Sequence, residues 1–301
     1  MSLLVTGSIG IDTVKTPHGV SENCLGGSSV YFSMAASFFA SVRFVGVVGD
    51  DCPFDLPKLF ADRGVDMAGL EVRQGSKTFR WAGTYMANMD DRNTDNVELN
   101  VLAEAPPQVP KVFKDSQYVF LANTAPGLQM ELLSQIDNPA FVAADTMDLW
   151  IDNALDDLKA LLPKIDCLII NEDEAKQLAG EPNLIKAADA ILNMGVTVAL
   201  IKKGASGSLM KNKAGDTFML PAFPAADVID PTGAGDSFAG GFMGTIAKAG
   251  NTDFTTLKKA VAYGTVTASF TLADFSLKGL TDTTKEAIDT RLKQLADMTQ
   301  F

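Results

Sequence analysis

Residues 228–241 read VIDPTGAGDSFAGG. A short β-branched lead runs into Asp230-Pro-Thr232, then Gly233-Ala234-Gly235, then Asp236 where amphipathic helical spacing begins. A glycine-rich turn at a helix N-terminus points backbone N–H groups outward, and with the helix dipole these hold an anion. Glycine at 233 and 235 permits close backbone approach. Asp236 has two uses at such a place. It complements the dipole and caps the first turn, or it accepts a proton from a hydroxyl beside a bound phosphate, as phosphoryl transfer requires. The residues alone leave both open.

The rare residues remove several other chemistries. Among 301 residues there is one histidine, His18, so a site needing two histidines is excluded within this chain. Three cysteines, Cys24, Cys52 and Cys167, fit neither a zinc spacing nor a disulfide framework. They are expected to be buried thiols in a reducing compartment. No Gly-Lys dipeptide occurs, hence no GxxxxGK[ST] loop, and no GxGxxG run follows the first strand. Lys plus Arg total 25 against 37 Asp plus Glu, a formal charge of -12. That balance lacks the basic footprint of a nucleic-acid or anionic-membrane binder, so neither is expected as a partner.

The turn must be held by a scaffold, and the scaffold is legible as alternation. Residues 3–6, 43–48, 118–121, 141–144, 167–170 and 196–201 are short apolar runs of the buried-strand type. Helical spacing lies between them, near 128–136, 152–162 and 172–178, and from 234 to the end. A hairpin is expected over 208–220. This pattern predicts an α/β fold with a mostly parallel central sheet and helices on both faces. Residues 23–42 carry no formal charge over a span-like length. Yet Gly26-Gly27 opens the run, and Ser29, Ser33, Ser37 and Ser41 recur beside Val30, Met34 and Phe38, as in a helix of a soluble protein. Residues 1–7 are an apolar strand pattern with no basic n-region, so the expected location is cytoplasmic. Residues 65–102 break the alternation with period-2 stretches and turn residues, and read as a small β excursion. Phe79, Trp81 and Tyr85 would project from one face of it, packing a dimer clasp or stacking on a base, with packing favoured.

The run from Asp230 to Asp236 resembles the second signature of the PfkB family of carbohydrate kinases, the ribokinase-like enzymes, apart from tolerated variation at Pro231. The resemblance extends in order over nearly the whole chain. It implies one ribokinase-like kinase domain over 1–301, with a β lid formed mainly by about 65–102 plus a short segment near 12–20. It implies that Asp236 is the general base and that the amides of Gly233, Ala234 and Gly235 form the anion hole. Asn171-Glu-Asp-Glu174 resembles the family's Asn-x-x-Glu motif, which organises magnesium and its waters through Glu174. Its alternative is a plain helix cap. Residues 201–207 resemble the element bordering the nucleotide, which makes Lys203, Gly204 and Gly207 candidates, with Gly264 on the adenine side. Asp230 and Thr232 match a monovalent-cation loop. ATP, Mg2+ and potassium are thus the implied cofactors.

For the acceptor, Asp12 matches a strand-end aspartate whose two oxygens suit a vicinal diol, and Gly26-Gly27 matches the family's diglycine. The chain departs from the family where its usual Asn is replaced by Tyr31, and where a usual glycine is Phe54. The loss of that Asn argues against ribokinase proper. A free sugar, a sugar acid and a ribonucleoside all present a diol and a CH2OH, with a lean toward the nucleoside. The lid implies a homodimer. The rival is a non-catalytic nucleotide or sugar sensor of the same fold; a structural partner protein would not explain the phosphate turn.

Overall fold

A computed structural model describes residues 2–300. Its strands, in chain order, are β1 (Leu3–Thr6), β2 (Gly10–Thr16), β3 (Gly19–Gly26), β4 (Val42–Gly49), β5 (Val65–Arg73), β6 (Phe79–Tyr85) and β7 (Arg92–Glu98). Then come β8 (Tyr118–Leu121), β9 (Phe141–Asp145), β10 (Cys167–Asn171), β11 (Val198–Lys202), β12 (Ser208–Asn212) and β13 (Thr217–Leu220). A nine-stranded sheet runs β13-β12-β11-β10-β9-β8-β1-β4-β5, and a four-stranded sheet runs β3-β2-β6-β7. The first is parallel from β11 to β5, with the hairpin β12–β13 antiparallel at its edge. This is the ribokinase-like arrangement: a large, mostly parallel sheet with a small sheet as lid.

Alternation along the strands splits the core in two. Leu3 and Val5 of β1 join one cluster, whereas Leu4 joins the other. Successive side chains leave a strand on opposite faces, so a sheet covered on both sides reads as an unbroken apolar run. One face packs on the helices Ser28–Ala36, Ala234–Ala249 and Phe254–Thr271. The other packs on Leu155–Leu161, Glu172–Ala179 and Leu184–Asn193. Among the described residues no helix is long and apolar enough to cross a membrane.

Three sequence expectations change here. Residues 65–73 are not lid: β5 is the parallel edge strand beside β4 in the large sheet. Strand periodicity does not say which sheet a strand joins. The lid instead recruits two full strands, β2 and β3, where only a short segment near 12–20 was expected. Their mixed polar residues, open to solvent on one side, give little apolar signal. Third, the serine-rich helix is confined to Ser28–Ala36 and is buried on every side. Its hydroxyls are satisfied locally: Ser29 donates to the Ser8 carbonyl and Ser33 to the Ser29 carbonyl, both at 2.7 Å.

Candidate active site

A cavity of about 370 Å³ opens between the lid and the large sheet. It follows the carboxyl ends of the parallel strands, where ligands of open α/β sheets bind. Asp145 ends β9, Asn171 ends β10 and Lys202 ends β11, and all three line it. From the lid come Asp12, Phe79, Trp81, Tyr85 and Arg92. From the anion turn come Thr232, Gly233, Gly235 and Asp236.

The turn has the geometry its glycines suggest. Gly233 has φ +75°, and a β-carbon there would lie 2.4 Å from the ring of Tyr31. Tyr31, fully buried, is therefore the floor on which the turn rests as well as part of the cleft wall. The helix Ala234–Ala249 starts immediately, with Asp236 in its first turn. Of the three expected anion-hole amides, Ala234 already donates to the Pro231 carbonyl at 3.2 Å, and Ala234 does not line the cleft; Gly233 and Gly235 do. Asp230 braces the turn from below. It is buried, and its two oxygens accept from the amides of Thr232 (2.8 Å) and Ser276 (3.4 Å).

The cation over the turn is Lys202, not Lys203. A β-carbon at Gly235 would sit 2.7 Å from Lys202 Nζ, whereas Lys203 does not line the cleft. Burial pushes the Asp236 carboxyl up to about 6, against the opposing pull of Lys202 and Arg92. Asp145, which the sequence reading missed, is buried beside it with Oδ1 unpartnered. Burial and the charge of Asp236 hold its carboxyl well above the usual range. Both Asp145 and Lys202 close apolar strands, so strand-end position was the available signal for them.

Asn171 and Glu174 form a reciprocal cap on the helix Glu172–Ala179: Asn171 Oδ1 accepts from the Glu174 amide at 2.8 Å and Glu174 Oε2 from the Asn171 amide at 2.9 Å. Such a box contributes about 1 kcal/mol. It fixes Glu174 in the cleft wall, so the cap and the ligand-facing position coexist. Among the described residues no cluster of three or more ligating side chains forms a protein-only metal cage. Glu174 and the orphaned Asp145 oxygen nevertheless suit a hydrated hard cation held chiefly through phosphate oxygens, which is how magnesium binds.

Elsewhere in the cavity, Asp12 on β2 is buried with Oδ1 unpartnered. Gly26 makes room for it: a β-carbon there would fall 1.8 Å from Asp12 Oδ2. Gly27, at φ +102°, caps the helix Ser28–Ala36 and lines the cleft. Burial, then the charges of Asp230 and Asp236, push Asp12 up to about 7. Asn123 and Trp150, also missed from sequence, line the same cavity. Trp150 Nε1 donates to Asn123 Oδ1 at 2.8 Å. The lid rings Phe79, Trp81 and Tyr85 line this cleft, which removes the support they lent to a dimer clasp.

The remaining residues singled out from sequence lie outside the cavity. Gly204 and Gly207 shape the loop after β11; a β-carbon at Gly207 would be 2.0 Å from the Leu220 carbonyl oxygen, so that glycine permits the hairpin. Gly264 is a packing glycine, since its β-carbon would meet the Phe238 carbonyl oxygen of the neighbouring helix at 2.7 Å. Lys203 has been placed above. His18 is exposed at the β2–β3 turn, away from the cleft.

A half-buried carboxylate beside an anion turn, under a β lid on an α/β sheet, defines a kinase of the ribokinase-like class. The chain belongs to the pfkB family of carbohydrate kinases, whose pattern matches residues 13–283. It is 26% identical over 253 residues to a cytidine kinase of Thermococcus kodakarensis, covering 81% of this chain and 87% of that protein. The fold superposes on aminoimidazole riboside kinase from Salmonella enterica, complexed with aminoimidazole riboside and an ATP analogue, with a TM-score of 0.78. That match has 21% identity and covers 97% of this chain and 100% of the other. Ribokinase from Cryptococcus neoformans var. grubii, in complex with ADP, superposes with a TM-score of 0.79 at 21% identity, covering 96% and 99%.

Proposed function

We propose that the chain transfers the γ-phosphoryl group of ATP, with magnesium, to the hydroxymethyl group of a ribonucleoside. One observation carries this reading: a single cavity joins the buried Asp12 carboxyl to Asp236 and also presents the rings of Phe79, Trp81 and Trp150. Asp12 offers two acceptor oxygens to a vicinal diol. A free sugar would leave the aromatic wall uncovered, whereas a base stacks on it. The similarity to a cytidine kinase and an aminoimidazole riboside kinase points the same way.

In the reaction the acceptor hydroxyl is oriented by Asp12 and the Gly27 backbone. Asp236 takes its proton as the oxygen attacks phosphorus in line. Gly233, Gly235 and Lys202 face the group in transit, where fixed donors in a dry site are most effective. Glu174 and Asp145 would hold magnesium, which would supply neutralisation of phosphate charge. The lid excludes water, so phosphate passes to the acceptor rather than being hydrolysed.

The test is ADP production from Mg-ATP across sugars, sugar acids and nucleosides, each run beside Asp236→Asn. A nucleoside should turn over best, and the variant should lose about a hundredfold or more in turnover while keeping its fold. A free sugar outperforming every nucleoside would overturn the acceptor assignment. ATP binding with no turnover of any compound would favour the sensor instead.

A further inference from the structure

The lid delivers a second cation to the phosphate end of the cleft. Arg92 opens β7 in register with Tyr85, the last residue of β6. The Tyr85 hydroxyl lies 3.3 Å from Thr232 Oγ1 in the anion turn. Further round the lid tip, a β-carbon at Gly204 would be 3.2 Å from Asp90 Oδ1. The lid thus touches the turn and the loop after β11. Four carboxylates line the cavity, Asp12, Asp145, Glu174 and Asp236, against two cations, Lys202 and Arg92.

The other arginines near the lid are committed. Arg80 pairs with Asp51 at 3.1 Å, and Arg73 with Glu71 at 2.8 Å. Arg92 forms no ion pair among the described residues. Its guanidinium stands 5.8 Å over the Trp81 ring, beside the Tyr85 hydroxyl, and lines the cavity. Arg92 shares the cavity wall with both Asp236 and Glu174.

We propose that Arg92 is a catalytic residue carried by the lid, donating to the oxygens of the γ-phosphoryl group as it transfers. The inference rests on the kinase reading above. The new bond joins the acceptor oxygen to γ-phosphorus, and the bond to the β,γ-bridging oxygen breaks with its electron pair leaving on ADP. The hydroxyl proton goes to Asp236. Arg92 exchanges no proton; it stabilises charge that a cleft rich in carboxylates would otherwise repel.

Arg92→Ala should lower kcat about a hundredfold, the loss expected for one transition-state donor, with acceptor KM changed less than about threefold. Added guanidinium ion should restore part of kcat in Arg92→Ala and none in native protein. In calorimetry the variant should lose affinity for a non-hydrolysable ATP analogue while keeping that for ADP. Arg92 is exposed, so a purely structural role would move none of these selectively. A kcat within threefold of native, or a loss confined to acceptor KM, overturns the assignment of Arg92 alone. Native protein that neither binds nucleotide nor turns over any acceptor overturns the kinase reading, and the role of Arg92 falls with it.

Discussion

Burial raises all four cleft carboxyls, Asp12 to about 7 and Asp236 to about 6, with Glu174 and Asp145 shifted in the same direction. For Asp236 the consequence is kinetic. As the proposed base it must be ionised, so kcat at saturating acceptor should fall tenfold per pH unit below about 6 and level off above it. For Asp12 the consequence is in binding. Hydroxyl donors from the acceptor favour its charged form, so acceptor affinity should weaken as pH drops below about 7. Proton release on acceptor binding near pH 7, measured by calorimetry in two buffers, checks this; no release would remove Asp12 from the acceptor site. The stability sign is opposite to that of a salt-bridged carboxylate. A folded pKa above the unfolded one means the native state binds more protons, so stability falls as pH rises from about 4 to 7. Asp12→Asn should therefore raise Tm at pH 8, by an amount that shrinks as pH falls toward 4, while acceptor affinity is lost. An unchanged Tm at pH 8 would mean Asp12 is not under this strain.

The elements that hold these residues were unequally legible. Parallel strands buried on both faces, such as β8 and β10, announce themselves as apolar runs. The anion turn was legible because glycine and aspartate there have few other uses in that order. The lid strands β2 and β3 were not, since half their residues meet solvent, and β5 carries the same alternation in either sheet. The adjacent lysines 202 and 203 show the limit most sharply. Strand parity sends one into the cleft and the other away, and a dipeptide does not state its parity. The clasp between lid and turn yields its own expectation. Tyr85→Phe removes the hydroxyl that meets Thr232, a net loss of about 1 kcal/mol. The acceptor KM should rise several-fold while ADP affinity in the same variant stays unchanged. If ADP affinity drops equally, that contact braces the turn rather than the lid.

At the scale of the molecule, two sheets of unequal firmness face each other across the cleft. The helix carrying Asp236 is wedged where a β-carbon at Gly240 would reach 2.4 Å from the Phe32 carbonyl oxygen and one at Gly264 would reach 2.7 Å from that of Phe238. Neighbours at that spacing leave the helix no slack to tilt. The proposed base is therefore an anvil, and any adjustment to the acceptor is expected of the smaller sheet. Friction against the surrounding liquid then enters the catalytic cycle. Swinging a β flap through water is a diffusive event, whereas moving a phosphoryl group inside a sealed cleft is not. Turnover should accordingly slow in proportion to the viscosity of added sucrose, and a slower acceptor analogue, limited by chemistry, should show no such slope.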